Sequence, residues 1–196
     1  RCSVIMNYPD PSLFYERKRS NNKDKFILLY PGTIIYHQGL DLALEATIRL
    51  KDQYPKLEFH VYGEGPEKAR LKQQVKARGM EDKFIMHDNV PIEKVADIMA
   101  SADVGVVPKR SDAFADEAFS TKSLEFMCIG VPLLISATTI DTYYFDGSTV
   151  EFFEAGNVND LMGKIEYLLH NPQRRTQLSE NGLKLASQYS WERHKQ

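Results

Sequence analysis

The sequence predicts a single α/β domain, doubly wound and Rossmann-like, with a mostly parallel six-stranded sheet. Short apolar runs alternate with helical patterns along the chain, which is typical of a parallel sheet covered by helices on both faces. The 196 residues, 42% of them hydrophobic and 27% charged, suffice for one sizeable core. No repeat or change in composition divides the chain.

The predicted elements follow in a regular order. Continuous apolar runs predict strands buried on both faces over residues 26–30, 57–62, 84–86, 104–107, 133–135 and 150–153. Apolar residues at helical spacing predict helices over 39–53, 66–78, 92–100, 121–129, 157–170 and 172–189. Residues 109–118 are polar and irregular. Residues 1–25 are predicted to be an inter-domain linker and leading loop, and residues 26–196 the domain itself.

Composition argues against several classes of function. The net charge of −2 gives no reason to expect a nucleic-acid partner. No apolar run reaches the roughly 18 residues that a membrane span needs, and the start of the chain does not resemble a secretion signal. Two cysteines, Cys2 and Cys128, are too few for a disulfide framework, so a reducing compartment such as the cytoplasm is expected. No cluster of metal ligands is evident.

The loop after the fourth predicted strand is the richest candidate site, because open parallel sheets bind ligands at the carboxyl ends of their strands. It leads into a helix that starts near Ser120-Thr121-Lys122, where Ser120 or Thr121 is a suitable N-cap. If Thr121 is the cap, the three following amides are free to bind an anion such as a diphosphate. Glu117 and Glu125 flank this point and would accept hydrogen bonds from sugar and ribose hydroxyls.

The ordered motifs resemble those of the retaining glycosyltransferases of group 1, or family 4, which have the GT-B fold. Glu117 and Glu125 have that family's Glu-x7-Glu spacing. The other similar segments are Gly39-Leu40-Asp41, Phe59-His60-Val61-Tyr62-Gly63-Glu64-Gly65-Pro66, Ala102-Asp103-Val104-Gly105-Val106-Val107-Pro108, Thr121-Lys122-Ser123-Leu124-Glu125-Phe126 with Gly130-Val131-Pro132, and Tyr189-Ser190-Trp191-Glu192. All belong to the C-terminal, donor-binding half of those enzymes.

The acceptor-binding N-terminal half is therefore expected to be absent from this sequence. The start at Arg1 rather than Met agrees with an excised domain, and Val4-Ile5-Met6-Asn7 resembles the inter-domain linker. By itself the domain is expected to be inactive. The resemblance further implies that the missing half could contact the inner face of the membrane.

The resemblance also implies roles for individual residues. Glu117 would be the catalytic residue that contacts the donor sugar, and Glu125 would bind the ribose. Val90 would line the base pocket. The remaining implied donor contacts are Gly32, Thr33, Gly63, Phe119, Ser120 and Thr121.

The implied substrate is a nucleoside diphosphate sugar, with UDP expected and GDP or ADP as alternatives, and no metal or cofactor is needed. A hexosyl-type group would pass with retention to a saccharide or lipid-linked acceptor, as in polysaccharide biosynthesis. The protein would mainly stabilise charge on the leaving diphosphate.

One departure from the family concerns the phosphate clamp after the first strand. The usual motif there is Gly-Arg-x4-Lys-Gly, but Thr33 stands in place of its Arg and Gln38 in place of its Lys. Two cations are thus missing where two phosphates would bind. The hypothesis we favour is that His37, Arg110 and Lys122 compensate for them.

Three other functions share parts of this pattern. A dehydrogenase would need Gly-x-Gly-x-x-Gly after the first strand, which the chain lacks. A nucleotide-sugar epimerase would also bind a nucleoside diphosphate sugar, but the Glu-x7-Glu spacing and Trp191 favour the transferase. A non-catalytic module with a decayed site is the third alternative, because the two clamp cations are missing.

Overall fold

The structure, a computed structural model, describes residues 7–17 and 24–189. Within these ranges six strands form one sheet in the order β3-β2-β1-β4-β5-β6, and all five pairings are parallel. The strands are β1 Phe26–Pro31, β2 Leu57–Tyr62, β3 Phe84–His87, β4 Val104–Val107, β5 Leu133–Ser136 and β6 Glu151–Phe153. The predicted parallel six-stranded sheet is confirmed.

The helices are α1 Leu40–Leu50, α2 Lys68–Ala77, α3 Ile92–Ala100, α4 Thr121–Ile129, α5 Thr139–Tyr144, α6 Val158–His170 and α7 Pro172–Ala186. All but α5 were predicted within a few residues of these bounds. Helix α5 and a 3-10 turn over Tyr36–Gln38 were not predicted. Helix α5 forms because Thr138 caps it, its hydroxyl accepting a hydrogen bond from the amide of Asp141.

The core has two halves, one on each face of the sheet. Helices α1, α2 and α6 cover one face, where Phe59, Leu71 and Leu161 are buried. Helices α3 and α4 cover the other, with Met99 and Leu124. Helix α7 contributes side chains to both halves. The doubly wound arrangement expected from the alternating pattern is therefore present.

Residues 7–17, inside the predicted linker, pack against the α3–α4 face. The side chain of Phe14 is buried there, and the Tyr8 ring stacks on that of Tyr189. A domain boundary at residue 26 stays a prediction. Cys2, Val4-Ile5-Met6 and Ser190-Trp191-Glu192 lie outside the described residues. Among the helices described, none is long and apolar enough to span a membrane.

The strand order reverses between β1 and β4, which places a crevice at the carboxyl ends of these strands. Two glycines bring the neighbouring loops into close contact there. A Cβ on Gly63 would lie 1.8 Å from the carbonyl oxygen of Gly32. The Gly32 amide in turn donates to the carbonyl of Tyr62 at 2.8 Å. The loops after β1 and β2 are thus held as one surface.

Candidate functional site

A cavity of about 320 Å³ opens at the carboxyl end of the sheet, where the strand order reverses. It lies between the loop after β1, the end of β2, helix α3 and the start of α4. Its lining residues are Pro31, Gly32, Thr33, Tyr62, Asn89, Val90, Ile92, Val95, Ile98, Thr121, Lys122 and Glu125. Six of the residues predicted to bind the donor are brought together here: Gly32, Thr33, Val90, Thr121, Lys122 and Glu125.

Lys122 supplies a positive charge to this cavity. Its side chain lies against Gly32 and its Nζ lies 5.3 Å from the centre of the Tyr30 ring. Among the described residues it has neither a hydrogen bond nor an ion pair. Burial lowers the pKa of the Lys122 ammonium, and the charge of the nearby Glu125 carboxylate opposes this shift only in part. A partly desolvated cation without an anionic partner is suited to bind an anion.

Glu125 lies one helical turn further along α4 and also lines the cavity. Burial raises the pKa of its carboxyl, and the charge of Lys122 only partly opposes this shift. Its oxygens are available as hydrogen-bond acceptors because no described group donates to them. The carboxylate therefore suits a ligand hydroxyl group better than a phosphate.

The structure decides which of the two candidate N-caps, Ser120 or Thr121, begins helix α4. Ser120, not Thr121, is the N-cap, with φ −93° and ψ 108°. The amide of Ser123 donates to the carbonyl of Ser120 at 3.1 Å, so it is not free as expected with Thr121 as cap. The amides of Thr121 and Lys122 have no partner among the described residues. The buried Ser120 hydroxyl likewise has none.

The start of α4 is thus a set of unsatisfied donors beside a cation. Free amides at a helix N-terminus and the helix dipole both favour bound negative charge. The described residues contain no group of three or more His, Cys, Asp or Glu side chains that could hold a metal ion. Lys122 and the free amides at this point can interact with an anion directly.

Two of the predicted compensating residues lie outside the cavity wall. The Nδ1 atom of His37 lies 2.7 Å from an oxygen of Asp112. The guanidinium of Arg110 lies 2.5 Å from an oxygen of Asp41 and covers the Tyr36 ring. Both side chains are therefore engaged by local carboxylates. Their contact with a donor stays a prediction.

The remaining predicted residues are not among those that line the cavity. Glu117 is exposed on the loop after β4, and its amide donates to the carbonyl of Phe114 at 3.2 Å. Phe119 contacts the ring of Tyr144 with centroids 5.0 Å apart. The side-chain oxygen of Gln38 is buried and has no partner among the described residues. Gly63 is buried behind Gly32 rather than in the wall.

Sequence reasoning missed Tyr62 as a site residue. Its ring lines the cavity and is stacked on the His87 ring, with centroids 4.0 Å apart and planes at 5°. His87 Nε2 lies 3.0 Å from Nδ1 of His60. Burial lowers the pKa of His87, and the neighbouring His60 adds to this effect. The sequence signal that could have identified Tyr62 was its position as an aromatic residue at the end of a strand, just before Gly63.

Lys68 fixes the loop that carries Asn89 and Val90. This buried lysine donates to the carbonyl of His87 at 3.1 Å and to the carboxylate of Asp88 at 2.9 Å. The backbone of the loop is therefore held close to the start of α2. Asn89 and Val90 line the same cavity as Thr121 and Lys122 at the start of α4.

Comparison with known proteins agrees with this architecture. The family model for glycosyl transferases group 1 matches residues 13–185. Alpha-D-kanosaminyltransferase of Streptomyces kanamyceticus is 26% identical over 176 residues, which cover 89% of this chain and 44% of that enzyme. The chain thus spans about half the length of the curated relatives it matches.

Solved structures share the fold. The C-terminal domain of the group 1 glycosyl transferase LpcC from Francisella tularensis superposes with a TM-score of 0.77 at 19% identity, covering 92% of this chain and 97% of that one. HepE of Anabaena, solved in complex with UDP, superposes with a TM-score of 0.80 at 16% identity, and the match covers 95% of this chain and 53% of that one. The fold is that of the C-terminal domain of GT-B glycosyltransferases, and the chain belongs to the glycosyl transferases group 1 family.

Proposed function

We propose that this chain is the donor-binding part of a retaining, family 4 glycosyltransferase, and that its cavity binds a nucleoside diphosphate sugar. The observation that carries the proposal is the unpartnered, partly desolvated Lys122 beside free amides at the start of α4. A diphosphate supplies the negative charge and the acceptor oxygens that these donors lack.

The diphosphate would lie between Gly32 and the start of α4. Hydrogen bonds to charged groups contribute about 1.5–3 kcal/mol each, and a partly buried helix N-terminus contributes up to about 2 kcal/mol. The Lys122 ammonium and the backbone amides of Thr121 and Lys122 can thus replace much of the diphosphate binding that the absent Arg and Lys would provide. Of the three compensating residues predicted, Lys122 has the geometric support.

The nucleoside would extend from the diphosphate towards β3. Glu125 would accept hydrogen bonds from the ribose hydroxyls, while Val90 and its neighbours would border the base. The ring of Tyr62, already stacked on His87, adds an aromatic surface in this wall. The complex of HepE with UDP supports UDP as the first candidate, with GDP and ADP as alternatives.

The sugar would project towards the loop after β4. There Glu117 would contact a hexosyl-type group, and transfer with retention would leave charge on the diphosphate. The acceptor, a saccharide or a lipid-linked saccharide of polysaccharide biosynthesis, would be bound by an N-terminal domain. We place the reaction in the cytoplasm, at the inner face of the membrane, with the isolated chain inactive.

Calorimetric titration with UDP-, GDP- and ADP-sugars tests the proposal. One nucleotide class should bind, and at 100 times its Kd it should stabilise the folded chain by about 2.7 kcal/mol. Binding by none of the three would favour a decayed, non-catalytic module. Conversion of a bound nucleotide sugar into its epimer, without transfer, would favour the epimerase.

A further inference from the structure

Lys109 is a buried cation that does not line the donor cavity. It follows β4 and is only 2% exposed. Its Nζ lies 2.7 Å from a carboxylate oxygen of Asp141, which is 1% exposed. Because both charges are enclosed, neither can serve as a ligand for a substrate in this conformation.

The same ammonium holds the backbone of the loop that presents Glu117. It donates to the carbonyl of Ala118 at 2.9 Å and to that of Ala115 at 3.3 Å. These carbonyls flank Glu117 on both sides. With Asp141, the three contacts use all three protons of the ammonium group.

The backbone of Lys109 is itself anchored to the sheet. Its carbonyl accepts a hydrogen bond from the Ser136 hydroxyl, at the end of β5, at 2.6 Å. The loop is also held from helix α5, where the amide of Ile140 donates to the carbonyl of Asp116 at 3.0 Å. The backbone around Glu117 is therefore held by two elements: the buried Lys109 side chain binds two of its carbonyls, and helix α5 binds a third.

Stability alone does not account for a buried ion pair at this place. Apolar residues of similar volume often stabilise a fold as well as or better than such a pair. Moreover, the second oxygen of Asp141 is buried without a partner among the described residues, which adds a cost. What an apolar pair could not do is hold two backbone carbonyls at set positions.

We propose that Lys109, oriented by Asp141, is a positioning residue that sets the place of Glu117 relative to the start of α4. It acts through the carbonyls of Ala115 and Ala118 and does not contact the substrate. The inference rests on the proposed function, since it concerns the sugar end of the donor site. It predicts that the pair matters for the sugar and not for the nucleotide.

The test compares two variants of the chain. Lys109→Met alone leaves the Asp141 carboxylate buried without its cation, with only the Thr138 hydroxyl donating to it, so the melting temperature should fall. The double variant Lys109→Met with Asp141→Leu removes both charges and should recover a melting temperature within a few degrees of the original. Lys164→Met, which removes a cation paired with Glu151 beside β6, is the matched control.

Two readouts on the double variant separate positioning from simple stabilisation. Amide hydrogen exchange at 116–118 should accelerate about tenfold or more, while exchange in β4 and α4 stays the same. The affinity for UDP should change by less than about twofold, while the affinity for UDP-glucose relative to UDP falls at least about fivefold. Lys164→Met should change none of these quantities.

A stable double variant with unchanged exchange at 116–118, or with an unchanged ratio of the two affinities, overturns the proposal. If the original chain binds no UDP, GDP or ADP, the proposed function fails. Hydrogen exchange would still show, independently of any ligand, whether Lys109 holds the loop. The two failures are thus distinguishable.

Discussion

Lys122 lies directly against Gly32, across the point where the strand order of the sheet reverses. Its Cδ, Cε and Nζ atoms lie 3.1–3.2 Å from where a Cβ on residue 32 would be. The lysine reaches into the cavity because residue 32 has no side chain, and Gly32 also has a φ of 140°, which other residues rarely adopt. This pair therefore presets a positive charge at the carboxyl end of β1.

Lys122→Ala should weaken the binding of the preferred nucleoside diphosphate by about 10- to 150-fold. That range corresponds to one lost charged hydrogen bond of about 1.5–3 kcal/mol. Calorimetry measures the effect, and Lys94→Ala, an exposed lysine on α3, is the control. Equal affinities in the original chain and in Lys122→Ala would remove Lys122 from the site.

The affinity should also depend on pH through Lys122. Burial lowers the pKa of its ammonium, so the free chain loses this proton at a lower pH than an ordinary lysine near 10.4 does. A bound diphosphate prefers the protonated form, and affinity should therefore decrease as the pH rises through the lowered pKa. In Lys122→Ala this alkaline decrease should disappear.

Glu125→Gln should stabilise the free chain and weaken nucleotide binding. Burial raises the pKa of the Glu125 carboxyl above its unfolded value, so the stability it contributes is present at low pH and is lost as the pH rises through the raised pKa. Glutamine cannot ionise, so the melting temperature at pH 8 should increase. The affinity for UDP should fall about tenfold, while that for inorganic pyrophosphate should not change. A loss of pyrophosphate affinity would contradict the ribose role.

Tyr62→Ala should remove an aromatic surface for the base. Stacking of a base on an aromatic side chain contributes about 1–3 kcal/mol, so the affinity for UDP should fall about 5- to 150-fold. Tyr62→Phe keeps the ring and should bind UDP as the original does. If Tyr62→Ala and Tyr62→Phe bind UDP equally well, the base lies elsewhere.

Gly63→Ala should destabilise the fold strongly, because its Cβ would lie 1.8 Å from the carbonyl oxygen of Gly32. Forcing atoms into a packed region costs about 1–3 kcal/mol, occasionally more. Denaturation in urea measures the loss of unfolding free energy. Gly147→Ala is the control, since nothing lies within 4 Å of its added Cβ. A loss below about 0.5 kcal/mol would show that the two loops can separate.

Local patterns were sufficient to predict most of the fold. The strands of a parallel sheet are continuous apolar runs, and the helices of its two faces have strong periodicity, so both stand out in sequence. Helix α5, Thr139–Tyr144, is too short to show a period. It depends instead on the Thr138 cap, which accepts from the Asp141 amide, and Asp141 also pairs with Lys109, a residue on another loop.

The loops and residues that form the site could be predicted, but the contacts between separate elements could not. The start of α4 was visible because its residues are consecutive, although the cap proved to be Ser120. Tyr62 and His87 meet because β2 and β3 pair side by side, with Tyr62 opposite His87 in the register. The engagement of Arg110 by Asp41 likewise depends on contacts between separate loops. No sequence spacing reports such contacts.

Amide chemical-shift mapping with UDP tests the central claim most directly, because it reports where the nucleotide binds. We predict saturable changes at Gly32, Val90, Thr121 and Lys122, which border the cavity of about 320 Å³. A second cavity of about 460 Å³, lined by Tyr54 and others, lies at the amino ends of β1 and β2. Changes confined to that end of the sheet, or no saturable changes with UDP, GDP or ADP, would contradict the account.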